Sequence, residues 1–253
     1  MQDTPVRRRL GMLTPSSNTV LEPVTTAMLA ELPEVTAHFA RFPVTEIALS
    51  AAALGQFDDT AILRAAELLA DAKVDVIGWN GTSSGWLGFE ADHRLCARIT
   101  EATGIAATTS MLALNELLAH LGARSLGLVT PYLDEVQARI VTNYAALGCP
   151  CIREAHLGLR DNFSFSEVSE ARIMDMARAV AAARPDAIAP DAIAIVCTNM
   201  RGGPVAARLE AELGLPVLDT VATVVWKSLA IAGVDPGRVT GWGRLFQTPI
   251  APP

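Results

Sequence analysis

The chain carries one layout twice. LGMLTP at residues 10–15 returns as LGLVTP at residues 126–131, and Pro131 stands 116 positions after Pro15. Gly81, inside VDVIGWNGTSSGW, stands 66 positions after Pro15; Cys197, inside DAIAIVCTNMRGG, stands 66 after Pro131. A duplication of this kind predicts two related halves facing each other with their strand ends converging. It also pairs a thiol with a glycine across the centre.

Each half reads as strands alternating with helices. Strands are expected at residues 8–14, 35–42, 74–79 and 105–108, then again at 125–130, 151–156, 192–196 and 216–218. Amphipathic helices are expected between them: one carrying Val24, Met28 and Leu29, one with Ile62, Leu63, Ala66 and Leu69, and others at 89–103, 111–121, 132–146, 167–183 and 220–232. A polar break at residues 56–59 and a turn at 185–190 punctuate the pattern. Residues 160–166, polar with two phenylalanines, could fold over the mouth of a site. The fold class is therefore α/β, with two pseudo-symmetric flavodoxin-like halves, parallel sheets and an active site in the cleft between them. Residues 1–121 form the first half, completed by the helix and tail at 220–253, and residues 122–219 form the second.

The composition supports packing by aliphatic helices on strands, since 51% of residues are apolar and only 5% aromatic. A net charge of −7 and the lack of a dense Lys/Arg cluster argue against nucleic acid as a partner. No apolar run reaches the roughly 20 residues that span a bilayer, and MQDTPVRRRL lacks an apolar signal core, so no membrane association and a cytoplasmic location are expected. Cys96, Cys149, Cys151 and Cys197 are too irregular for a disulfide framework. Cys149 and Cys151 are too close together for the usual zinc pair, so no metal is expected; they suit a strand edge and Cys96 suits a core. Monomer and homo-oligomer stay equally open.

Ligands in parallel α/β folds bind beyond the carboxyl ends of the strands. Those ends carry Pro15, Ser16 and Asn18, then Gly81, Thr82 and Ser83, then Tyr132, then Cys197, Thr198 and Asn199. Helix amino termini expected directly after Gly81 and Cys197 would add backbone donors and partial positive charge, and would lower the Cys197 pKa. Such a cavity suits a carboxylate or an enediolate, with Cys197 as nucleophile, base or acid. Taken alone, Cys197 reads equally as a small apolar residue ending a buried strand, Thr82 and Ser83 as helix caps, Tyr132 as packing and Asn18 as an Asx turn. None of His38, His93, His120 or His156 lies at a strand end beside Cys197, so a Cys–His pair is not expected.

PSSNT after the first strand, GTSSG after the third, TPY in the second half and CTNM at its third strand together resemble the aspartate/glutamate racemase superfamily. The branch containing arylmalonate decarboxylase and maleate cis-trans isomerase is the most similar. The resemblance spans nearly the whole chain. It implies a cofactor-independent enzyme acting on a small dicarboxylate. Racemases and maleate isomerases of this group use two cysteines, one per half, whereas the decarboxylases keep the second and have Gly-Thr-Ser at the first. Gly81, Thr82, Ser83 and a lone Cys197 fit the decarboxylase pattern, with an enediolate held in an oxyanion pocket and protonated by the thiol. The loop at Ser16 to Asn18 looks like that of the isomerases, in which the asparagine contacts a substrate carboxylate. Maleate-type isomerisation, and carboxylate binding without turnover, are the alternatives.

Overall fold

In the computed structural model, which describes residues 6–50, 55, 59–182 and 188–248, the duplication becomes two four-stranded parallel sheets. The first contains β1 (Arg8–Pro15), β2 (Val35–Phe42), β3 (Val76–Trp79) and β4 (Ala107–Thr109), in the order β2-β1-β3-β4. The second contains β5 (Leu126–Thr130), β6 (Cys151–His156), β7 (Ala192–Ile195) and β8 (Val217–Asp219), in the order β6-β5-β7-β8. The two orders are the same, 2-1-3-4, as the repeat requires. Central strands β3, β5 and β7 are buried at every position, which is why they read as unbroken apolar runs rather than alternating ones. Edge strand β6 alternates partly buried and exposed residues and begins at Cys151.

Helices α1 (Leu21–Met28), α2 (Asp59–Asp71), α3 (Ser84–Leu87), α4 (Glu90–Thr103) and α5 (Ser110–His120) belong to the first half of the sequence. Helices α6 (Asp134–Ala146), α7 (Glu170–Ala181), α8 (Gly203–Leu213) and α9 (Thr220–Ile231) follow. The repeat reaches the caps. Helices α4 and α8 both stop on a left-handed glycine, Gly104 (φ 71°) and Gly214 (φ 73°), whose N–H closes the last turn. Helix α9 packs on β3 and along α5, where the Thr223 hydroxyl donates to the Ser110 carbonyl (2.9 Å) and Lys227 pairs with Glu116 (2.7 Å). The second stretch of chain thus closes over the first sheet.

Several boundaries differ from expectation. The helix expected from Tyr132 starts at Asp134, because Leu133 is extended (ψ 154°), and this leaves Tyr132 in the loop above the strand ends. The helix expected from Glu167 starts at Glu170, where the Ser169 hydroxyl caps the Arg172 N–H (3.2 Å); a 3-10 turn, Phe163–Glu167, precedes it. The helix expected directly after Cys197 starts only at Gly203. Of the polar break at 56–59 only Asp59 is described, and Pro185 of the expected turn lies outside the described residues. Among the described residues no helix is long and apolar enough to cross a membrane.

Candidate active site

The strand ends of the two halves meet around a cavity of about 20 Å³, room for a single water molecule. Gly81, two residues past β3, and Cys197, two past β7, both line it, as the repeat implies. So do Pro15, Thr82, Ser83, Tyr132 and Thr198. The remaining walls are Val44, Ile47, Trp79, Trp86 and Asn162. A larger cavity of about 670 Å³ lies between α4, α5, α6 and α9, but holds none of the thiol and hydroxyl groups at the strand ends.

Cys197 is 2% exposed. Its backbone N–H donates to the Thr220 hydroxyl (3.1 Å), and its Sγ accepts from the Asn199 N–H (3.4 Å). A pair of hydroxyls lines the cavity with it: Tyr132 Oη lies 2.6 Å from Thr82 Oγ1. Burial nevertheless pushes the thiol up to about 12, against these donors. The expectation of a lowered pKa is overturned. The cause is burial, which outweighs the N–H groups of the turn at residues 198–200; the helix that follows starts only at Gly203. Cys197 rests as the protonated thiol. Burial likewise raises Tyr132, which stays a phenol and therefore a donor.

Ser16, Asn18 and Asn199 do not line the cavity; they brace it. Ser16 Oγ accepts from the Val44 N–H (3.1 Å), fixing the loop that carries Val44 and Ile47. Asn18 caps α1, its Oδ1 accepting from the N–H groups of Val20 (3.0 Å) and Leu21 (2.9 Å), while its amide donates to the Thr198 hydroxyl (3.2 Å). The Asn199 amide donates to the Asn162 carbonyl (2.6 Å) and accepts from the Thr19 N–H (3.0 Å). Ser83 sits before α3 without a capping bond, its residue lining the cavity.

Five wall residues were not expected. Trp79 and Trp86 flank the hydroxyl loop in WNGTSSGW and were legible as neighbours, though not as walls. Asn162 arrives on the segment at 160–166, which does fold over the mouth. That segment is tied to the Val44 loop by Asn162 N–H to Thr45 carbonyl and Ile47 N–H to Arg160 carbonyl, both 2.9 Å. Phe165 fixes it from below, edge-on to Tyr132 with centroids 5.7 Å apart. At about 20 Å³ the cavity holds nothing larger than water unless its walls move apart.

Two carboxyls lie buried behind the site. Asp219 caps α9, accepting from the N–H groups of Val221 and Ala222 (3.0 Å each), and burial pushes it up to about 7. Asp92 accepts from the Thr109 hydroxyl, and burial pushes it up to about 6. In the unfolded chain both titrate near pH ~4. Folding therefore favours their protonated forms: the stability tied to them is complete below about pH 4 and is lost as pH rises through 6 and 7. Relative to Asp219→Asn, which keeps the capping oxygen without the charge, the wild type should lose several degrees of melting temperature between about pH 4 and 8. Thermal unfolding of both proteins across that range checks this. A difference that stays constant with pH would remove the linkage.

Among the described residues no group of three or more His, Cys, Asp or Glu is placed to hold a metal ion. Among the described residues no cation lines the cavity; its polar side chains are neutral hydroxyls, the Asn162 amide and a thiol, facing apolar walls. Such donors stabilise developing negative charge without trapping a product anion.

Comparison with known proteins places the fold among described enzymes. The chain is 27% identical over 231 residues to the maleate isomerase of Geobacillus stearothermophilus, covering 87% of this chain and 90% of that one. It is 28% identical over 173 residues to the arylmalonate decarboxylase of Bordetella bronchiseptica, covering 68% and 71%. The fold superposes with a TM-score of 0.85, at 25% identity over 96% of this chain and 99% of the other, on a cysteine-to-serine variant of Nocardia farcinica maleate cis-trans isomerase bearing a covalently bound succinylcysteine intermediate. A family model described as arylmalonate decarboxylase matches residues 18–246, and by that match the chain belongs to the arylmalonate decarboxylase family.

Proposed function

We propose that this protein is a cofactor-independent decarboxylase of a compact substituted malonate, with Cys197 as its proton donor. The observation that carries the reading is a single thiol facing a hydroxyl cluster across one small cavity, with a glycine at the counterpart position. In this reading one carboxylate accepts hydrogen bonds from the hydroxyls of Thr82, Ser83 and Tyr132 and from the backbone N–H of Thr198, whose own hydroxyl is held by the Asn80 carbonyl (3.1 Å). The other lies against the apolar walls, where Val44, Ile47 and Trp86 solvate its charge poorly and favour loss of carbon dioxide. The electron pair left behind spreads into an enediolate, held by the same donors. Cys197 then gives its proton to the carbon, and the thiolate, strongly basic in this burial, takes a proton back from water.

Maleate-type isomerisation is the second reading. It is favoured by relatives with that name that match most of the chain, and by the Asn162 amide in the wall, which suits a second carboxylate. It requires addition of a thiolate to a double bond, which a thiol held protonated serves poorly. The two readings separate in one experiment: proton NMR of the pure protein in deuterated water with substituted malonates and with maleate. Enzyme-dependent release of a monoacid carrying deuterium beside its carboxylate is the expected result. Fumarate from maleate would replace the proposal with isomerisation, and binding without turnover would replace both with a carboxylate-binding protein.

A further inference from the structure

The wall facing Cys197 contains more than a missing thiol. Trp79 ends β3, two residues before Gly81, and residues so spaced in an extended chain point to the same side. Its indole folds over Gly81. A Cβ built on Gly81 would lie 1.9 Å from Cζ2, 2.1 Å from Cε2 and 2.5 Å from Cη2 of that ring, closer than any real contact allows. The ring is 1% exposed and packs against Phe42 with centroids 5.0 Å apart, and the adjoining cavity of about 20 Å³ is far too small to receive an indole. The ring therefore has nowhere to move. In the second half the counterpart of Trp79 is Ile195, whose shorter side chain leaves Cys197 its place on the wall.

We propose that Trp79 determines the one-sidedness of this site: its indole occupies the space any side chain at position 81 would need, and so closes the wall facing Cys197 to a second proton donor. The inference rests on the decarboxylase reading for its chemical consequence, but not for its steric content. The enediolate receives its proton from the Cys197 thiol on one face only, and a product once protonated meets no base on the other face.

A double-variant cycle tests both parts. Without substrate, Gly81→Cys alone should lower the melting temperature by roughly 5–10 °C, because the new side chain displaces a fully packed ring. The same change made on Trp79→Ala should lower it by about 2 °C or less. Equal losses in the two backgrounds would overturn the steric claim whatever the protein catalyses. With a malonate carrying a methyl group and a second, larger substituent, the wild type should yield one enantiomer by chiral chromatography. Trp79→Ala/Gly81→Cys should racemise that product and exchange its α-hydrogen in deuterated water, the introduced thiolate removing the proton and Cys197 returning one to the opposite face. A racemic wild-type product, or a well-folded double variant whose product stays single-handed, would overturn the chemical claim. Failure of the wild type to turn over any malonate would refute the decarboxylase reading and the chemical claim with it, while the melting cycle still decides what Trp79 excludes.

Discussion

Cys197→Ala should lower decarboxylation of a substituted malonate by roughly 10²–10⁴-fold, the usual contribution of a positioned general acid. Binding of the same substrate should hold within a few-fold, since the thiol supplies the proton and the hydroxyls supply the hold. The site gives the reason for both halves of the result. Cys197 is buried among Tyr132, Asn199 and Thr220, and the turn at residues 198–200 survives loss of the sulfur because Asn18 and Asn162 brace it. With the thiol pushed up to about 12, the wild-type rate should show no alkaline loss from this group between about pH 7 and 9, and alkylation by iodoacetamide should be slow over the same range. Steady-state kinetics and substrate titration calorimetry on the alanine variant measure the split. An unchanged rate would remove Cys197 from the chemistry; an alkaline limb near pH 7 that coincides with rapid alkylation would mean that it works as a thiolate.

Tyr132→Phe should reduce kcat by about 10²-fold, as expected when one donor to a developing oxyanion is removed, with a smaller change in KM. The variant isolates the hydroxyl. The ring would keep its edge-on contacts to Trp86 (5.4 Å) and Phe165 (5.7 Å), so folding should be nearly preserved. What is lost is the 2.6 Å bond to Thr82 and a donor on the wall that Tyr132 shares with Cys197. The Thr82 hydroxyl left without its partner costs about 1–3 kcal/mol of stability, visible as a modest fall in melting temperature. If kcat stays at the wild-type level while the melting temperature falls, Tyr132 is packing and its hydroxyl has no catalytic part.

The central pairing of the site was legible in the chain because it rests on counting. Two copies of one layout put Gly81 and Cys197 at matching distances from matching prolines, and strands that are apolar at every position can only be the buried ones of a parallel sheet. Helix ends marked by Gly104 and Gly214 were equally local. The Asx turn at Asn18 was legible too, but the bracing roles of Ser16, Asn18 and Asn199 were not, since a polar side chain at a strand end can point into the cleft or across to the neighbouring loop. Here Asn18 reaches Thr198, and Asn199 reaches Asn162, partners far away in sequence.

The sequence by itself determined the duplicated α/β architecture, the order of its elements and the single thiol at its centre, because each of these is written in periodicity, spacing or residue identity. Only the tertiary structure decided that burial raises the Cys197 pKa, that the loops carrying Val44 and Asn162 join over the cavity, and that Trp79 fills the space above Gly81. Those properties depend on desolvation and on contacts between segments remote along the chain, and neither has any local signature in the order of residues.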